Sequence, residues 1–166
     1  PDIDRENKEV AFTIFIDPGK RVYVRQINIA GNTKTRDEVI RREFRQMEGS
    51  WYDGKNIKIS RDRVDRLGFF TEVTVETPEV PGTVDQVDVN LKVTEKPTGN
   101  LMLGAGFSQE DKLLLSGSIE QQNFAGTGND VALNINTSKR YRTIAITQNT
   151  PYFTDDGISR RYELFY

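Results

Sequence analysis

The sequence predicts an α+β domain in the order strand–helix–helix–strand–strand, followed by a run of antiparallel strands that does not return to helix. Three observations predict it. Between residues 21 and 96 the apolar pattern switches from a period of two to a period near 3.6 and back. Charge then thins, from 17 basic and 18 acidic side chains in residues 1–97 to 6 and 7 in residues 98–166. Beyond Pro97, four or five runs of about 9–11 residues alternate apolar with small or polar side chains, joined by polar turns.

Lys8–Ile16 comes first, with Val10, Phe12, Ile14 and Ile16 in alternation. A lone strand is not stable in water, so it reads as the end of a preceding domain or as a partner of the next one. Arg21–Ala30 is a second β-rich run, ended by Gly31-Asn32. Thr35-Arg36-Asp37-Glu38 has the form of a capping box. Ile40, Phe44 and Met47 then recur on one helical face, and Asp37–Arg41 and Glu38–Arg42 sit at i, i+4 in the favourable order. Helix one is expected over Arg36–Gln46. A second helix is expected over Lys55–Leu67, with Gly68 as its left-handed terminator. Strands follow at Thr71–Thr77 and Gln86–Glu95. The helices can cover one face of a small sheet.

Composition removes several function classes. The two parts each carry a net charge of −1, so no basic field invites nucleic acid. There is no cysteine for a disulfide and no histidine to serve as general base or metal ligand. No enzyme activity and no cofactor are expected. The acidic pairs Glu110-Asp111 and Asp155-Asp156 stand beside turn residues, where solvated carboxylates belong. Gly126-Thr127-Gly128 lacks the lysine of a phosphate loop and reads as a tight hairpin turn. No stretch of about 18 apolar residues could form a transmembrane helix. The opening Pro-Asp-Ile-Asp-Arg has no basic or apolar leader, so an exported parent would carry its targeting signal outside this chain.

Asn100–Ser108, Lys112–Gln122, Asn129–Ser138, Arg142–Thr150 and Ser159–Tyr166 are the late runs. Alternation of this kind suits a membrane barrel with a wet lumen, and it equally suits a soluble antiparallel sheet. The stretches YVRQINIAGNTKTRDEVIRREFRQMEGSWY (Tyr23–Tyr52), DRVDRLGFF (Asp62–Phe70) and VDVNLKVTEKPTG (Val87–Gly99) resemble the Omp85 superfamily, its BamA-type assembly factors most closely. So do GAGFS (Gly104–Ser108), QQNFAGTGN (Gln121–Asn129) and NTPYFTDDGIS (Asn149–Ser159). The resemblance implies an α+β POTRA domain, the last before the barrel, over residues 21–96. Residues 1–17 would be the terminal strand of the preceding POTRA domain. Residues 99–166 would be the first four to five strands of an incomplete transmembrane β-barrel of about 16 strands. So few strands cannot close, and the chain is expected to form an open sheet that self-associates through its edges or is held by lipid, detergent or a partner.

The resemblance also implies a function: assembly and insertion of β-barrel proteins into the bacterial outer membrane, with the POTRA domain in the periplasm. The partners it implies are a BamD-type assembly lipoprotein, other Bam-complex lipoproteins and unfolded outer-membrane clients. Arg41, Arg42, Glu43 and Arg45, which lie off the apolar face of helix one, become candidates for lipoprotein docking; their bland reading is a solvated surface. Gly99, Asn100, Leu101, Met102, Leu103, Gly104, Ala105, Gly106 and Phe107 become the lateral seam, where a client strand adds by backbone pairing. Gly99, Gly104 and Gly106 suit a strand that must open, or they relieve crowding or allow curvature. Rival readings are a two-partner secretion or TamA-like translocation pore, and a soluble periplasmic protein-binding module.

Overall fold

The computed structural model describes residues 2–4, 9–11, 14–15, 20–109 and 112–166. β1 (Asp2–Asp4) and β2 (Glu9–Ala11) form a two-stranded antiparallel sheet. β2 occupies part of the run expected over Lys8–Ile16, and it pairs with β1 rather than with the following domain. Phe12, Thr13 and Ile16 lie outside the described residues.

The α+β domain follows as expected: β3 (Tyr23–Ala30), α1 (Asp37–Arg41), α2 (Gly54–Arg66), β4 (Phe70–Glu76) and β5 (Gln86–Glu95). β5 lies between the others, parallel to β3 and antiparallel to β4. Its alternation buries Val87, Val89, Leu91 and Val93, which meet Val39 and Ile40 of α1 and Ile57 and Val64 of α2 in one core. At about 25 cal/mol per Å² of apolar surface removed from water, this layer is what holds helices to sheet. The Asp53 side chain caps α2 by accepting from Lys55 N at 2.8 Å. Gly68 ends the helix region at φ +75°, the conformation expected of it.

Helix one is shorter than its apolar spacing suggests. α1 stops at Arg41, and Met47 is 63% exposed. Ser60 of α2 explains the stop: its hydroxyl accepts from Arg45 N at 2.8 Å and Gln46 N at 3.4 Å, taking donors that a longer helix would use. Gln46 is buried and organises the loop beyond, donating to Trp51 O at 2.8 Å and accepting from Asp53 N at 3.0 Å. The capping box does not form either. Arg36 is the cap residue with no side-chain cap bond, and the Thr35 hydroxyl accepts from Asn123 Nδ2 at 2.8 Å.

Beyond Pro97 the chain is a single-layer meander: β6 (Gly99–Ser108), β7 (Lys112–Phe124), β8 (Asn129–Thr137), β9 (Arg142–Thr150) and β10 (Arg160–Phe165), each antiparallel to the next. The register places Leu101, Leu103 and Phe107 on the same face as Leu113, Leu115, Ile119, Leu133, Ile135, Ile144 and Ile146. Asn100, Ser116, Ser118, Asn134, Asn136 and Thr143 fall on the other. Leu103 is 81% exposed and Phe107 80% exposed, and every buried core hydrophobe among the described residues belongs to the α+β domain. The self-contained soluble β-domain that the pattern also allowed is therefore not what forms. An open antiparallel sheet with one bare apolar face has the form of a barrel segment, in which the apolar side is the one suited to lipid.

Candidate functional site

Three features could act on a partner: the free edge of β6, the surface around the end of α1, and the junction that fixes one against the other.

β6 pairs with β7 from Gly99↔Gln121 to Ser108↔Lys112, and its other edge has no partner among the described residues. All of Gly99, Asn100, Leu101, Met102, Leu103, Gly104, Ala105, Gly106 and Phe107 are exposed. The strand thus offers a row of unpaired N–H and C=O groups at the margin of the apolar face. The close contacts at two of its glycines are to side-chain ends that can turn away: a Cβ at Gly99 would meet Gln121 Oε1 at 2.9 Å. A Cβ at Gly104 would meet the Ser116 hydroxyl at 2.5 Å, whereas one at Gly106 would find only ordinary contact, 3.8 Å from Leu114 Cβ. Gly106 lowers the strand's stiffness without a packing reason.

The four charged residues assigned to partner docking do not share one surface. Arg41 and Arg45 are exposed, but Glu43 is only 4% exposed and pairs with Arg63 of α2 at 2.7 Å. Arg42 turns toward the sheet, its guanidinium 4.2 Å from the ring centre of Tyr152 in the β9–β10 turn. The sequence reading placed both off the apolar face of helix one, but both fall beyond the end of α1 and turn toward α2 and the sheet rather than solvent. Besides Asp37, 3.0 Å away, the acid that stands at the surface with Arg41 is Glu48, 3.3 Å away. It lies beyond the predicted helix, and only the early stop at Arg41 brings it back alongside.

The junction is built from these inward groups. Arg63 donates to the Tyr152 hydroxyl at 3.2 Å, so Glu43, Arg63, Tyr152 and Arg42 form one cluster between the α+β domain and the sheet. A second contact runs through the β7–β8 turn: Arg36 N donates to Gly126 O at 2.9 Å, beside the Asn123–Thr35 bond. Glu95, at the end of β5, ties the same loop down. Its carboxylate accepts from Thr35 N at 2.7 Å, Thr33 Oγ1 at 2.7 Å and Lys34 N at 3.0 Å. Burial works against the Glu95 charge, but the Thr35 N–H, the Thr33 hydroxyl and the Lys34 N–H outweigh it and hold the pKa at about 2. An unfolded glutamate titrates near 4.3, so this stabilisation is complete above about pH 5 and is lost as the pH falls toward 2. The expected result is a thermal midpoint that is flat from neutral pH to about pH 5 and drops below it, with Glu95→Gln removing part of the acid-side drop. An acid limb unchanged in Glu95→Gln contradicts the assignment.

Comparison with known proteins agrees with this architecture. Residues 22–96 match the family model described as POTRA, surface antigen variable number repeat. The outer membrane protein assembly factor BamA of Neisseria meningitidis serogroup B is 43% identical over 160 residues, covering 96% of this chain and 20% of the relative. The crystal structure of BamA from Haemophilus ducreyi lacking POTRA domains 1-3 superposes with a TM-score of 0.89 at 35% identity, over 100% of this chain and 31% of that one. CdiB from Escherichia coli, at 17% identity and a TM-score of 0.58 over 87% of this chain and 28% of its own, shares the fold alone. The chain spans about a fifth of the length of the Neisseria relative.

Proposed function

The chain belongs to the BamA-type outer membrane protein assembly factors of the Omp85 superfamily, carrying a POTRA domain and the first strands of a barrel, and on that premise we propose that it inserts β-barrel proteins into the outer membrane. The POTRA domain would stand in the periplasm and the meander in the bilayer. One observation carries the proposal: β6 has an edge without a partner among the described residues, at the border of a sheet with one bare apolar face. In hydrocarbon an unpaired N–H or C=O costs several kcal/mol. A client strand arriving at that edge therefore gains pairing and burial together. Recognition runs through main chain, so clients of unrelated sequence can use the same edge. Neither nucleotide nor metal is needed, because the driving force is burial of client backbone and apolar surface.

Successive residues of an antiparallel strand point their N–H groups to opposite edges. Proline placed singly at each position from Leu101 to Ala105 should therefore act in alternation. Those whose N–H faces β7 disturb the sheet, and those whose N–H faces outward leave it folded yet cut client insertion into proteoliposomes about tenfold or more. Full insertion activity in every outward-facing proline variant sinks the seam reading.

The docking surface for a BamD-type lipoprotein is formed by the exposed part of the original charge cluster, Arg41 and Arg45, together with Glu48 and the exposed Met47. Opposed charges across such a surface set partner choice more than bulk affinity. Arg45→Glu is expected to lower lipoprotein retention in a pull-down on the order of tenfold. Undiminished retention rules this surface out.

A further inference from the structure

The two outer edges of the POTRA sheet are treated differently. Along β3 the loop after Gln46 runs as a substitute strand: Tyr52 N donates to Val22 O at 2.8 Å, Gly49 N to Val24 O at 2.7 Å, and Val24 N to Ser50 O at 3.0 Å. That backbone cover ends where β3 carries a bulge between Val24 and Ile27. The next outward peptide groups belong to Ile27, and side chains take them. Glu48 Oε1 accepts from Ile27 N at 2.7 Å, and Arg41 Nη2 donates to Ile27 O at 3.2 Å. The two side chains are themselves paired at 3.3 Å. A carboxylate and a guanidinium thus offer Ile27 the acceptor and donor that a neighbouring strand's peptide would offer. Nothing comparable covers β4 among the described residues; Thr71 and Thr74 turn their hydroxyls inward to the carbonyls of Thr94 and Lys92 on β5.

We propose that Arg41 and Glu48 are an edge guard: they occupy the strand-addition site on β3 at Ile27, so that a second copy of this chain cannot add to the sheet there. Edge strands invite unwanted pairing, and charged side chains are a common means of blunting them. A protein that works on unpaired strands, the reading on which this inference rests, is exposed to such pairing more than most. Arg41 and Glu48 also lie in the docking surface proposed for the lipoprotein, so the guard is read in the absence of that partner.

The chain lacks cysteine, which permits a two-part test on the whole chain in detergent, without lipoprotein or client. Residue-resolved amide exchange is compared among the parent, Glu48→Gln, Glu48→Ala and the Arg41→Ala/Glu48→Ala pair. Gln keeps an oxygen for Ile27 N–H and should retain protection, whereas both Ala variants should exchange about tenfold faster or more at Ile27. Val24, held by Ser50 O, should stay protected in all of them and so report that the domain is folded. Gln26→Cys, exposed on the β3 edge, should form a disulfide-linked dimer in the double-Ala background and not in the parent. Ile27 exchange unchanged in the double-Ala chain, or dimer formation equal in both backgrounds, overturns the proposal. A failed pull-down at Arg45 would leave it standing, and the reverse also holds.

Discussion

Reversing the charge of Glu43 is expected to unfold the POTRA domain at temperatures where the parent is intact. Glu43 is buried against Arg63 at 2.7 Å, and that arginine also reaches the Tyr152 hydroxyl. Glu43→Lys places two cations where one carboxylate balanced one guanidinium. Removing one member of a buried pair costs about 3–5 kcal/mol, because the survivor stays desolvated and uncompensated. For a domain of this size each kcal/mol moves the midpoint by about 4–8 °C. A fall of more than about 10 °C in the POTRA transition is therefore expected in calorimetry. Glu43→Leu/Arg63→Leu should recover most of the loss, since replacing both partners leaves no orphaned charge. A midpoint within about 2 °C of the parent in Glu43→Lys would mean that the pair contributes nothing. Lipoprotein binding measured in this variant would report on folding rather than on contact, which is why Arg45→Glu is the cleaner probe.

Gly126→Val is expected to free the POTRA domain from the sheet while leaving both folded. Gly126 sits at φ +72° in the β7–β8 turn, and a Cβ there would run into the carbonyl oxygen of Lys34. A β-branched residue meets the left-handed penalty of about 1–2 kcal/mol and a backbone clash besides. Relief requires the turn to withdraw, which breaks the bond from Arg36 N and strains the neighbouring Asn123–Thr35 contact. Spin labels at Lys58→Cys on α2 and Lys139→Cys in the β8–β9 turn, both exposed, should give a narrow distance distribution in the parent and a broad one in the variant. Gly82→Val is the control: φ is +84° but nothing lies within 4 Å, so the same local strain should leave the distribution narrow. A narrow distribution in Gly126→Val would show that the turn does not hold the domain in place.

The two outcomes mark where the sequence is readable and where it is not. Alternation over Gln86–Glu95 and along the late strands survives into the fold because period two has a single meaning on a sheet. Asp53-Gly54 and Gly68 punctuate α2 for reasons contained within a few residues. Helix one misleads because Met47 falls on the right face by spacing alone. What ends the helix is Ser60, 15 positions away from Arg45. The inward turn of Arg42 and Glu43 depends on Arg63 and on Tyr152, which lies 89 positions from Arg63. No local pattern encodes such a contact. Glu48 was passed over for the complementary reason: it follows the expected helix and shows its role only when paired with Arg41 and Ile27.

The parallel pairing of β3 with β5 carries a kinetic consequence. Tyr23 must find Gln86, so the POTRA sheet closes only after a long loop has been ordered. In the meander, Ser108 needs only Lys112, a hairpin that can zip up on its own. Formation rates fall as contacting residues grow further apart in the chain. The half with the bare apolar face can therefore organise before the domain that aims it, and its greasy side stands uncovered through that interval.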